Sequence, residues 1–171
     1  MSAVVDPAEQ TQVLPAAADR RFLDRAVDLA VQNVAEGGGP FGAVLVRGGL
    51  VLATGQNRVT RDNDPTAHAE VQAIRAACAQ LGTFSLAGAT LYSSCEPCPM
   101  CMASSLWARL DRVVFAADRD DAARGGFDDR TFYEVFSTPR EEWDVVVEQQ
   151  RDDRSPAPFD AWLASVQRVD Y

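Results

Sequence analysis

The only histidine of the sequence lies in His68-Ala69-Glu70, and downstream comes the run Cys95-Glu96-Pro97-Cys98-Pro99-Met100-Cys101. A helix opening at Pro97 carries Cys98 and Cys101, at i and i+3, on one face, and a helix N-terminus favours the thiolate that a metal requires. One imidazole and two thiolates supply three of the four ligands of tetrahedral Zn²⁺, and the fourth position is left for water, as in catalytic rather than structural sites. Zinc lowers the pKa of such a water to about 7. Glu70, two residues beyond His68, is then placed to move the water proton. Two other arrangements of the same residues stand beside this one. A CxxC pair can do redox chemistry, and Cys95 can complete a closed Cys₃His structural site, a zinc module that binds partners without catalysis. Cys78, among Ala76, Ala77 and Ala79, reads as an inert core thiol.

The rest of the chain bounds what such a site serves. With 171 residues, 47% hydrophobic and 24% charged, it is sized for one folded domain. The formal net charge is −9, with 16 Lys+Arg (all Arg) against 25 Asp+Glu, which argues against a nucleic-acid partner bound through phosphates. No apolar run reaches the roughly 20 residues of a spanning helix, so no membrane partner is expected. The N-terminus has neither the basic nor the apolar region of a secretory signal, and a cytoplasmic location is expected. Four cysteines, three within seven residues, suit metal or redox chemistry better than disulfides there.

The elements that must position the motifs follow from periodicity. Residues 1–18 show no sustained period and read as a flexible tail before a domain over 19–171. Phe22, Leu23, Ala26, Val27, Leu29, Ala30 and Val34 predict an amphipathic helix over 20–36, ended by Gly37-Gly38-Gly39-Pro40. Strand-like runs at 41–46 and 50–55 form a hairpin through Gly48 and Gly49. Asp64 and Pro65 predict the start of the helix that carries His68 and Glu70 and runs to about Leu81. Further strands are expected at 89–93, 112–117 and 143–147, and an aromatic helix over 156–171 with Phe159, Trp162, Leu163 and Val166 on one side. The order predicts an α/β fold: three α/β/α layers around a mixed sheet of about five strands.

HxE followed by PCxxC is also the signature of zinc-dependent base deaminases. With Gly39-Pro40-Phe41-Gly42-Ala43, Asn57, the stretches 63–71 and 125–129, and Trp107-Ala108-Arg109, the chain resembles the cytidine-deaminase superfamily from about residue 41 onward, and within it the bacterial guanine deaminases. The resemblance implies one Zn²⁺ per subunit on His68, Cys98 and Cys101, Glu70 as the proton carrier, and a small purine base, guanine, as substrate. It implies that Phe41 packs on the base, that Asn57 and Asp129 hydrogen-bond it, and that Ala69 belongs to the same contact set. It further implies a homodimer in which the segment 155–171 crosses to the partner and Tyr171 closes the neighbour's site; Glu134 is a looser candidate for a second carboxylate. Related amino-heterocycles and guanosine, and tRNA adenosine, remain alternative substrates.

Overall fold

The computed structural model describes residues 16–127 and 129–170. They fall into two compact units, Met1–Tyr133 and Glu134–Tyr171. The first begins with α1 (Ala16–Ala35), the hairpin β1 (Gly42–Arg47) and β2 (Leu50–Gln56), and the short α2 (Val59–Asp62). Then come α3 (Ala69–Leu81), β3 (Ala89–Cys95), α4 (Pro99–Trp107), β4 (Arg112–Ala117) and α5 (Arg119–Arg124), with α6 (Arg130–Ser137) starting at its end. Residues 16–18, expected in the tail, already belong to α1, and residues 1–15 lie outside the described part.

Four strands form one sheet in the order β2-β1-β3-β4, with β1 antiparallel to both neighbours and β3 parallel to β4. Strand side chains alternate between faces, and the two cores divide accordingly. On one face Val44, Val46 and Tyr92 pack against Phe22 and Ala26 of α1. On the other, Ala43, Leu45, Ala89 and Leu91 pack against Ala69, Ala73, Ile74 and Ala77 of α3. Covered on both sides, β1 and β3 are buried almost throughout rather than alternating. The α/β/α layering is thus as expected. A parallel pair needs a crossover, and α4 provides it between β3 and β4.

The fifth strand expected at 143–147 is absent among the described residues. Val145 and Val146 are 69% and 80% exposed, and Trp143 instead packs edge-to-face on Phe136 at 5.4 Å. A valine run has β propensity, but a strand needs a neighbour to pair with, and none is supplied here. The second unit otherwise holds a 3₁₀ turn at Arg140–Glu142 and α7 (Ala157–Ala164), shorter than the expected terminal helix, so that Val166 falls beyond it.

Both helices that carry the chemical motifs start later than their prolines suggest. Asp64 does not cap α3: its Oδ1 accepts from the Thr66 amide (2.8 Å) and hydroxyl (2.7 Å), making a turn that delivers the chain to His68. The N-cap of α3 is His68, and that of α4 is Cys98, with Pro99 rather than Pro97 in the first turn. Gly55 of β2 lets α3 start this close to the sheet, since a Cβ there would lie 2.0 Å from the Ala69 carbonyl oxygen.

Candidate metal centre and active site

An N-cap side chain ordinarily turns back to bond the free amides of its own first turn. Neither His68 nor Cys98 does so, although both have the extended backbone of that position. Their side chains turn toward each other across the gap between α3 and α4. His68 Nδ1 stands 3.6 Å from Cys98 Sγ and 3.5 Å from Cys101 Sγ, and all three donor atoms lie within 4.8 Å of one another. With Zn–N and Zn–S bonds of ordinary length, the N···S edge of a zinc tetrahedron is about 3.6 Å. The three residues therefore fit zinc. Among protein groups alone, Cys98 is held down to about 4, first by the hydrogen bond from Cys101 and then by His68, whereas Cys101 is pushed up by donating that bond and by burial. Two thiols and a carboxylate share one imidazole here, and a divalent cation supplies the missing positive charge.

Cys95 is not part of this group. It is buried with its Sγ directed to the Asp118 carbonyl oxygen at 3.5 Å, and burial raises its pKa to about 11. Among the described residues three ligands and not four gather here, which leaves a corner of the tetrahedron to water and disfavours the closed Cys₃His arrangement.

Glu70, one turn position into α3, is 5% exposed. Ser93 of β3 donates to its Oε1 at 3.1 Å, and Cys101 Sγ lies 3.4 Å from Oε2. Burial is the main cause that lifts its pKa above the usual carboxylate range. A carboxyl group raised in this way is a stronger base than an ordinary carboxylate and suits proton transfer.

A cavity of about 580 Å³ opens over this corner. His68, Glu70 and Cys98 form one end, and Phe41, Asn57, Phe127 and Asp129 line it further out. Phe41 meets Phe127 edge-to-face at 5.0 Å and also packs on the α3-side core, so the aromatic wall is anchored. Ala69 does not line the cavity; it is fully buried among the core residues of α3. Glu134 lies in the second unit as an exposed residue of α6, and Tyr171 lies outside the described residues.

Phe127 and Glu96 are among the lining residues missed from the sequence. Phe127 sits in the 125–129 stretch but carried no signal of its own beside the two aspartates. Glu96 is masked by the cysteines flanking it. Arg119 grips its carboxylate through two guanidinium nitrogens, stacks over Tyr133 at 4.2 Å, and Tyr133 donates to the Pro97 carbonyl at 2.8 Å. This bracket holds the turn that presents Cys98, and it pulls the Glu96 pKa down.

Residues 16–117 match the family model for the cytidine and deoxycytidylate deaminase zinc-binding region. Guanine deaminase of Bacillus subtilis is 49% identical over 151 residues, covering 88% of this chain and 97% of that protein. Its X-ray structure superposes with a TM-score of 0.86 at 48% identity, over 89% of this chain and 98% of that one. A second solved structure, a complex with 8-azaguanine, gives a TM-score of 0.63 at 34% identity over 65% of this chain and 64% of that one. A tRNA-specific adenosine deaminase of Bacillus subtilis is 40% identical over 99 residues, 58% of this chain and 62% of that protein. With the zinc triad, the buried carboxylate and the layered fold in place, the chain belongs to the cytidine and deoxycytidylate deaminase family and is a zinc-dependent aminohydrolase.

Proposed function

We propose that the protein converts guanine and water to xanthine and ammonia. The observation that carries this reading is the pairing of a buried Glu70 with the His68–Cys98–Cys101 triad in a cavity whose lining offers an aromatic face, an amide and a carboxylate. The near full-length likeness to a guanine deaminase supports it.

Zinc, when bound, makes hydroxide available at neutral pH. Glu70 accepts the first proton of water and delivers it to the ring nitrogen beside C2. It then carries the second, from the hydroxyl on C2, to the amine, so that the C2–N bond breaks with loss of ammonia and the C2–O bond is retained as the carbonyl. Ser93 keeps the carboxylate aimed by donating to its other oxygen. Phe41 packs against the purine face, while Asp129 accepts from ring N–H groups and Asn57 presents an amide to the base edge. The test is direct: zinc-loaded protein supplied with guanine releases ammonia and xanthine, and no release from guanine at any zinc loading overturns the reading.

A second substrate class is favoured by the likeness to a tRNA-specific adenosine deaminase. The net charge of −9 weighs against it, because an anticodon stem-loop needs a basic surface. Inosine formation in tRNA, measured beside xanthine formation, separates the two.

The same reading includes a cytoplasmic homodimer in which the segment 155–171 crosses to the partner, with Tyr171 covering its site. Free thiols at all four cysteines suit a reducing compartment. Phe159, Leu163 and Val166 are 71%, 67% and 100% exposed, apolar area that a second copy can bury. Sedimentation as a dimer at micromolar concentration supports this assembly, and a monomer there rejects it.

A further inference from the structure

The buried stripe of α1 runs Phe22, Ala26, Ala30 and then, at the next helical interval, Asn33, which is 0% exposed. A polar side chain in that position must find partners. Asn33 Nδ2 donates to the Gly39 carbonyl at 2.7 Å and to the Asn57 carbonyl at 2.8 Å. Its Oδ1 accepts from Arg61, which is held from its other side by Glu36 at 3.5 Å. Arginine has donors only, so it fixes which way the amide faces: reversing the amide would set its NH₂ against the guanidinium and its oxygen against two carbonyls.

The two carbonyls belong to two segments that line the cavity. Gly39 and Asn57 both line it. The placement of Asn57 depends on few other contacts. Its amide donates to the Phe41 carbonyl at 3.1 Å, and its Oδ1 accepts from the Val59 amide at 3.2 Å. Gly39 lies close against its side chain, since a Cβ there would stand 3.1 Å from Asn57 Cγ. One buried amide thus ties the glycine turn after α1 to Asn57, and both line the cavity.

We propose that Asn33 is a positioning residue for substrate recognition: oriented by Arg61, it sets the place of Asn57 and Gly39 and thereby the grip on the base. This rests on the reading of Asn57 as a contact to the purine. Asn33 touches no substrate itself. An aliphatic residue would fill the same stripe but take the side-chain donor from the Asn57 carbonyl and leave the Gly39 carbonyl with the Phe41 amide alone.

The test is a double-mutant cycle on guanine kinetics with full-length, zinc-loaded protein. Asn33→Asp keeps the shape and the acceptor for Arg61 but removes the donor. It is expected to raise KM about tenfold, with kcat changed far less and zinc at one per chain. Asn57→Ala should raise KM on its own, and the pair together should be no worse than Asn57→Ala. Arg61→Gln, at a partly exposed position, should raise KM about threefold with the same split, and it tests the proposal if Asn33→Asp does not fold. A double variant whose KM rise is the product of the two single rises overturns the proposal, because Asn33 then acts elsewhere. So does a loss confined to kcat or zinc, or an unchanged KM in Arg61→Gln. An unchanged KM in Asn57→Ala alone instead removes the reading of Asn57, whatever Asn33 does.

Discussion

The two ends of the cavity are built by different means. The metal corner comes from two short motifs, each delivered at a helix N-cap, with the functional atoms His68 Nδ1, Cys98 Sγ and Cys101 Sγ brought together at 3.5–3.6 Å by two helices that start side by side. The opposite wall comes from single residues far apart in the chain: Asn33 reaches Asn57 across 24 positions, and Phe41 meets Phe127 at 5.0 Å. Chemistry common to the family concentrates in the first kind of construction. Choice of substrate can be retuned in the second without touching the ligands.

That contrast predicts a graded set of losses. Substituting the metal corner should be the most damaging: His68→Ala should lose bound zinc and all measurable ammonia release, checked by metal analysis beside the assay. Glu70→Gln should keep its zinc and still lose about 10²–10⁴ in kcat, since only proton transfer is removed. A Glu70→Gln protein with wild-type turnover would place the proton carrier elsewhere. On the substrate side, Asp129→Asn should act mainly on KM, raising it about tenfold, because it removes charge from the proposed base contact and leaves the metal alone. If kcat falls instead, the wall and the corner are not separable as described.

Smaller effects are expected away from both ends. Asp19 of α1 accepts the Tyr92 hydroxyl at 2.6 Å and two Arg112 nitrogens at 2.7 and 2.8 Å, which ties the helix that carries Asn33 to β3 and β4. The Arg112 hydrogen bond holds the Asp19 carboxyl below its ordinary range. Its stabilisation is therefore complete above the unfolded value of about 3.9 and drains as the pH falls through the lower folded value. Asp19→Asn should lower stability by about 1 kcal/mol at neutral pH and flatten the loss below pH 4, read from denaturant melts across pH. An unchanged acid slope would deny Asp19 that role. Smallest of all, Cys95→Ser should leave zinc content at one per chain, because that thiol faces the Asp118 carbonyl rather than the metal.

The same contrast explains what could be read from the chain. His68, Glu70, Cys98 and Cys101 were legible because metal chemistry restricts both residue type and spacing. The layered fold followed from the order of the elements, an early hairpin and then strands alternating with helices. The helix starts were misplaced because Asp64-Pro65 and Pro97 are local signals that turns use as readily as helices. The run around Val145 has strand composition without a strand beside it, which composition cannot reveal. Asn33 did carry a trace, a polar residue at the next step of the stripe Phe22, Ala26, Ala30, but its partners Gly39 and Asn57 exist only once the sheet has formed.

Zinc-edge X-ray absorption on zinc-loaded, full-length protein bears most directly on a three-ligand metal site beside a buried carboxylate. Two sulfur neighbours, one imidazole nitrogen and one light atom from solvent are the expected shell. Three sulfur neighbours, with that light atom gone, would contradict it.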